Sequence, residues 1–431
     1  MTTCGLDFGT SNSTIGVLKN RQPAMVPLEQ SDQGDWQTTL PSALFFAFED
    51  DRIHFGRQAI QRYTSGEPGR LMRSLKSILG SAFMGESTQV KRRRYSYEEI
   101  IGFYISSLKQ RAEKYRGDNE NALDSVVVGR PVFFNDDDPV LDREAENHLA
   151  NIAKAAGFTE VSFQYEPIAA ALHYEQQVIG EELALIVDIG GGTSDFTVVR
   201  LSRDRHADSE RHEDFLASHG IHIGGTDFDR RLSIAGVMNR FGMGEPLADR
   251  PLLEMPGHYY FDLATWHKIH LMYDQSVQRE LKDIRITLRN KQPVDRLIAL
   301  LANKKGHQLA AMVEQAKIAL SSQDHAGFNI AELLPEFSSV ESFVLTRRQL
   351  LDSLESDLQK VFGAMDVALV DAGLTHQQIN TVFTTGGSTA LPMIQAAIQS
   401  AFPTANIVAG DLYTSVGSGL LQEAVRRYGP R

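Results

Sequence analysis

Twice in this chain a short apolar run ends on Asp, passes through Gly and enters a hydroxyl-bearing turn. The first copy reads Cys4-Gly5-Leu6-Asp7-Phe8-Gly9-Thr10-Ser11-Asn12 and leaves through Ser13-Thr14-Ile15-Gly16-Val17. The second reads Leu185-Ile186-Val187-Asp188-Ile189-Gly190-Gly191-Gly192-Thr193-Ser194-Asp195 and leaves through Phe196-Thr197-Val198-Val199. An apolar strand, a Gly/Ser/Asn turn and a returning alternating strand predict a β-hairpin at each place. Backbone N–H groups in such a turn can surround an anionic oxygen, and Thr and Ser hydroxyls add donors. An Asp at the strand end, beside bound phosphate, is useful mainly when a divalent cation lies between them. Two matched copies therefore predict two similar lobes closing on one polyphosphate and its metal ion.

A chain of 431 residues exceeds one ordinary core, so two or more domains are expected. Its net charge of −12 argues against a nucleic-acid partner, whose footprint is normally basic. The one basic run, Lys91-Arg92-Arg93-Arg94, reads as a solvated face. The single cysteine, Cys4, allows no internal disulfide and fits a reducing compartment. Its place in the first predicted strand makes it a small buried hydrophobe. No basic-then-apolar leader precedes that strand, and no apolar stretch is long enough for a bilayer. A cytoplasmic monomer with no membrane partner is expected. The close histidine pairs, His219/His222 and His267/His270, lack a third ligand at zinc-like spacing.

Residues 1–30 predict three strands, around Leu6, Ile15–Val17 and Ala24–Val26. The pattern is mixed from about 41 and then helical, with Ile100, Ile101, Phe103, Tyr104, Ile105 and Leu108 on helical spacing. Val126–Val128 predicts a strand, 139–156 a helix closing at Gly157, and Val161–Tyr165 another strand. Glu166-Pro167 opens a helix. The strand set restarts at Leu183, the chain is largely helical from Asp229 to about 330, and a strand covers Thr381–Thr384. Helices are predicted near Leu391-Pro392 and over Thr414–Tyr428. Strand, strand, strand, helix, strand, helix thus occurs in both halves, an internal structural repeat.

These residues resemble one family. Gly5 to Ser13 is similar to the first phosphate loop of DnaK-type heat-shock chaperones, and Asp188 to Asp195 to their second. Pro131-Val132-Phe133-Phe134-Asn135-Asp136 resembles their Pro-Ala-Tyr-Phe-Asn-Asp segment, and Glu166-Pro167-Ile168-Ala169-Ala170-Ala171 their Glu-Pro-Thr-Ala-Ala-Ala. Gly224-Gly225-Thr226-Asp227-Phe228-Asp229 and Gly386-Gly387-Ser388-Thr389 follow in the same order. The resemblance covers nearly the whole chain and thins at about 235–310. It implies an α/β, two-lobed actin-like ATPase fold, each lobe RNase-H-like with an outer subdomain, around a nucleotide cleft. Lobe I is expected over 1–182, with its core at about 1–40 and 111–182 and its outer subdomain at 41–110. Lobe II is expected over 183–411, with its core at about 183–226 and 354–411 and a helical outer subdomain at 227–353. Residues 412–431 are expected to return to lobe I as a helix.

The resemblance also implies roles. ATP or ADP with Mg²⁺ is the expected ligand. Asp7 and Asp188 would hold the metal, partly through its waters, with Asp195 contributing from the far end of the second loop. Gly9, Thr10, Ser11 and Asn12 would meet the phosphates from one side, and Gly190, Gly191, Gly192 and Thr193 from the other. The Thr193 hydroxyl would stand near the attacking water. Lys76, in Leu75-Lys76-Ser77-Ile78-Leu79-Gly80, would meet the terminal phosphoryl group. Glu166 would accept hydrogen bonds from that water, or simply complement a helix N-terminus. Glu314, Lys317 and Ser321, three and four residues apart on one helix, would reach ribose and adenine, and Gly224, Gly225, Thr226, Gly386, Gly387, Ser388 and Asp411 would also bind the nucleotide. Ile318 and Ala390 stand where the family carries arginines that sandwich the base, which implies weaker or less base-selective binding.

A DnaK-type chaperone continues into an apolar acidic linker and a β-rich peptide-binding domain, and neither is expected here. The favoured reading is a low-turnover ATPase acting as a nucleotide-dependent switch on an unknown protein partner. A sugar or small-acid kinase of the same superfold and an actin-like filament protein stay open as alternatives.

Overall fold

The two motifs fold into hairpins that match residue for residue. Strand β1 (Thr3–Phe8) pairs antiparallel with β2 (Asn12–Lys19), placing Asp7 opposite Thr14 and Phe8 opposite Ser13. Further along, β3 is Gln22–Met25, β4 Ser125–Arg130 and β5 Glu160–Tyr165. In the second hairpin β6 (Glu181–Ile189) pairs with β7 (Ser194–Ser202), placing Asp188 opposite Asp195 and Ile189 opposite Ser194. Loops 9–12 and 190–193 are therefore equivalent in length and register. Strands β8 (Phe215–Ile221), β9 (Thr381–Thr385) and β10 (Asn406–Ala409) complete the set.

This computed structural model describes residues 2–31, 34–117, 122–135, 138–175, 178–205, 212–248, 250, 252–266, 268–337, 342–409 and 415–429. Asp411 and His267 lie outside the described residues. Two units are distinguished, one of residues 1–222, 361–389 and 397–431, the other of 223–360 and 390–396.

The first unit contains both large sheets. One has the order β5-β4-β1-β2-β3, with Leu40–Pro41 also paired to β2; the other has the order β8-β7-β6-β9-β10. In each, an antiparallel three-stranded meander adds two parallel strands beside its first strand. Parallel neighbours need a crossover, supplied between β4 and β5 by helix Pro139–Ala155. Its start is fixed by Asp138, whose carboxylate accepts from the N–H groups of Val140 and Leu141. Gly157, at φ 96°, closes the connection. Val140, in the first turn of this helix, is exposed, whereas Ala145, Leu149, Ile152 and Ala153 are buried.

Burial explains the sequence patterns. Strand β4 is covered on both faces, so Val126-Val127-Val128 reads as a continuous apolar run. Helix Tyr97–Arg116 begins at a capping box between Ser96 and Glu99 and buries Ile100, Ile101, Tyr104, Ile105 and Leu108 against Leu6, Phe8, Ile15 and Val17. Cys4 is fully buried in the same cluster, and burial pushes its thiol pKa far up, which leaves it inert. The basic run forms the exposed turn of the hairpin Ser87–Val90/Arg93–Ser96, where Lys91 pairs with Asp51 at 2.5 Å. Residues 41–110 also contain an unforeseen three-stranded sheet of Ala43–Ala47, Ile53–Phe55 and Gly69–Arg73.

Helix Ser415–Tyr428 packs on the first sheet closely enough to require glycine. A Cβ on Gly419 would stand 1.8 Å from the Ala169 carbonyl oxygen, and one on Gly5 of β1 2.2 Å from the Leu421 nitrogen. The last turn is tied down by Glu423, 2% exposed, which accepts from Arg426 Nε at 2.8 Å and Arg427 Nε at 2.5 Å. Arg427 also donates to the Phe163 carbonyl of β5 at 3.1 Å. Burial opposes the Glu423 charge, yet the two guanidiniums outweigh it and hold the carboxyl below its usual pKa. Glu423→Ala should cost about 2 kcal/mol in urea unfolding at neutral pH, less than a fully buried pair because the arginines are partly solvated. A depressed folded pKa means this contribution is present above the ordinary carboxylate range. The difference from wild type should shrink as pH falls through the folded value.

The second unit is helical, built from Gly225–Gly236, Gln275–Ile286, Gln292–Ala302 and Gly306–Ser322 with the ribbon His325–Phe328/Phe343–Thr346. Phe228, Leu232, Leu297, Leu300 and Leu345 are buried there, and Arg231 bridges both oxygens of the buried Asp357 at 2.7 and 2.8 Å.

Candidate functional site

Within the first unit, the ends of β1 and β6 and the two equivalent loops face one cavity. Asp7, Gly9 to Asn12, Lys76, Glu166, Asp188, Gly190 to Thr193, Asp195, Gly386 and Gly387 line it. The loops touch: a Cβ on Gly191 would lie 2.0 Å from Ser11 Oγ. Gly386, at φ 82°, turns the chain out of β9 where any Cβ would meet the Ile189 carbonyl at 2.4 Å and Asp188 Oδ1 at 2.5 Å. Register therefore brings Asp188, Asp195 and the Gly386 turn together, since Asp188 also pairs with Thr385 across β6 and β9.

Lys76 arrives from outside both motifs. It sits in the 3₁₀ turn Leu75–Ile78, which follows Ser74 at φ 55°. Its ammonium donates to Glu166 Oε1 at 2.5 Å, with side chains 10% and 13% exposed. Glu166 stands where β5 runs directly into helix Glu166–Glu175. The Thr193 hydroxyl donates to Asp195 Oδ2 at 2.9 Å, and the Ser388 hydroxyl to the Gly190 carbonyl at 3.1 Å.

The electrostatics are lopsided: among the described residues four carboxylates line the cavity against one ammonium. Burial and the charge of Glu166 raise the Asp7 pKa to about 7, with Lys76 pulling the other way. Burial, Asp195 and Glu166 raise that of Asp188 to about 8. Burial disfavours the Lys76 charge, but Glu166, Asp7 and Asp188 outweigh it and the amine is held above its usual range. Such a cavity is short of positive charge and suits a cation. Among the described residues no three Asp, Glu, His or Cys side chains converge closely enough to hold a metal ion by themselves. The carboxylates of Asp7 and Asp188 are hard oxygen donors of the kind that a hydrated Mg²⁺ takes.

The remaining expected contacts fall elsewhere. Gly224, Gly225, Thr226, Glu314, Lys317 and Ser321 belong to the second unit. Gly224 caps helix Gly225–Gly236. Lys317 donates to the Gly225 carbonyl at 3.0 Å and pairs with Asp229 at 2.9 Å, while Ser321 Oγ donates to the Ile318 carbonyl at 2.6 Å. Sequence reading missed Phe133, Phe134, His222 and Ser415 as cavity residues. The first two lie in a segment singled out for its resemblance, but nothing in their type marks a lining role. His222 immediately precedes Ile223-Gly224-Gly225 and is marked in the sequence only as half of the pair His219/His222, which points to no lining role.

The model of the family described as "Hsp70 protein" matches residues 3–243 and 282–411. The "Chaperone protein DnaK" of Buchnera aphidicola subsp. Schizaphis graminum (strain Sg) is 25% identical over 423 residues, covering 92% of this chain and 55% of that protein. The chain thus spans about half the length of the curated relative it matches. With a match over most of its length and the doubled sheet order described above, the chain belongs to the Hsp70 family, as a DnaK-type nucleotide-binding domain with the α/β actin-like ATPase fold.

Proposed function

We propose that the chain binds ATP and ADP together with Mg²⁺ and hydrolyses ATP slowly, as a nucleotide-dependent switch for a protein partner. The observation that carries this reading is the pair of register-matched glycine-lined loops facing one cavity with Lys76, Glu166, Asp7 and Asp188. Family membership supports it, and the curated relative is named as a chaperone. The N–H groups and hydroxyls of loops 9–12 and 190–193 would bind the β- and γ-phosphate oxygens from opposite sides. Lys76 would place its ammonium on the terminal phosphoryl group, sharing it with Glu166. Glu166 and Thr193 would orient the attacking water, Glu166 as a hydrogen-bond acceptor held by Lys76. Asp7 and Asp188, with Asp195 behind them, would hold Mg²⁺ through its waters. When bound, the ion neutralises charge that builds on the phosphate oxygens.

Ribose and adenine contacts by Glu314, Lys317 and Ser321, nucleotide contacts by Gly224, Gly225, Thr226, Gly386, Gly387, Ser388 and Asp411, and the division into lobes at 1–182 and 183–411, belong to the same proposal. So does a cytoplasmic location. Among the described residues no helix is long and apolar enough to cross a membrane.

The test is ATP turnover by the full chain with Mg²⁺, with EDTA, and with a panel of polyols. Phosphate release that requires Mg²⁺ and ignores the polyols supports the reading. Turnover that depends strictly on an acceptor would make the protein a kinase instead.

A further inference from the structure

Both loops are braced from behind by a serine that lies outside the motif. Ser42 sits between Leu40–Pro41, which pairs with β2, and strand Ala43–Ala47, and is 2% exposed. Its hydroxyl donates to the Gly9 carbonyl at 2.6 Å, and its backbone N–H donates to the Ser11 carbonyl at 2.8 Å. The Ser13 hydroxyl stands 2.9 Å from Ser42 Oγ. In the second loop the carbonyl of Gly190, the counterpart of Gly9, accepts from Ser388 at 3.1 Å.

A trans peptide points its carbonyl and the next N–H in opposite directions. Fixing the carbonyls of Gly9 and Ser11 on Ser42 therefore fixes the N–H groups of Thr10 and Asn12, directed away from Ser42. Thr10 and Asn12 line the cavity. We propose that Ser42 is a positioning residue of the anion site, aiming the N–H groups of Thr10 and Asn12 at a bound phosphate it does not itself touch. This rests on the nucleotide reading given above. Without the Ser42 hydroxyl the Gly9 peptide can rotate, and donors once preset must be ordered when the anion arrives.

The experiment compares dissociation constants for ADP and adenosine in wild type, Ser42→Ala and Ser42→Cys, each checked by thermal unfolding. Cysteine keeps a similar shape but donates only weakly. Both variants should bind ADP ~10-fold more weakly, the scale of one lost hydrogen bond with its ordering cost, and adenosine as wild type does. Unchanged ADP affinity, or equal loss for ADP and adenosine, would overturn the proposal. Wild-type protein that binds neither ligand would overturn the nucleotide reading itself, and this inference with it.

Discussion

Lys76→Ala should lower ATP turnover by at least ~100-fold while the protein stays folded, the scale of removing one preorganised charge from a transferring phosphoryl group. The reasoning is geometric. Among the described residues Lys76 is the only lysine or arginine lining the cavity, which four carboxylates also line. Loss of its ammonium leaves Glu166 without the partner 2.5 Å away. Glu166 then lacks the partner that holds it in place as an acceptor for a water, while the paired strands that carry both loops are untouched. Melting within a few degrees of wild type, combined with the turnover loss, is the expected pattern. Wild-type turnover in the variant would remove Lys76 from the mechanism.

Asp188→Asn should produce a similar loss of turnover and, in the ligand-free protein, a gain of stability that grows with pH. The folded protein raises the Asp188 pKa to about 8 from the usual 3.8. Between those values the folded state holds a proton that the unfolded chain has released, so stability falls as pH rises through that window. The penalty is complete above pH 8. Asparagine carries no charge and escapes it. Urea unfolding at pH 5, 7 and 9 should therefore show the variant gaining progressively on wild type. The variant itself keeps a smaller slope from Asp7, which is raised to about 7. A constant difference across the three pH values would mean that Asp188 is not charge-frustrated in the apo protein. Loss of activity with gain of stability is the signature of a group retained for its ligand rather than for the fold.

What could be read from the sequence was local. The two hairpins are announced by strand and turn chemistry within about a dozen residues, and their register follows from them. Helix Pro139–Ala155 is marked by Asp138 at one end and Gly157 at the other. Nothing local announces Lys76. A single lysine in a short 3₁₀ turn has no pattern, and only resemblance to a family points to it. Ser42 is harder still, since its partner Gly9 is 33 residues away and a lone serine in a Pro-Ser-Ala stretch signals nothing. The sheet at Ala43–Ala47 escaped because all five of its residues are buried, which erases the alternation that identifies a strand. The glycines of helix Ser415–Tyr428 look like helix-weakening residues until the backbone of Ala169 is found against Gly419 and the Thr14 side chain against Gly417.

The most direct test of the central claim is calorimetric titration of the folded chain with ATP and with ADP, in Mg²⁺ and again in EDTA. Saturable heat near one equivalent, weakened when the ion is chelated, is the result expected of two opposed loops holding a polyphosphate beside Asp7 and Asp188. No heat with either nucleotide in Mg²⁺, from protein shown to be folded, would contradict it.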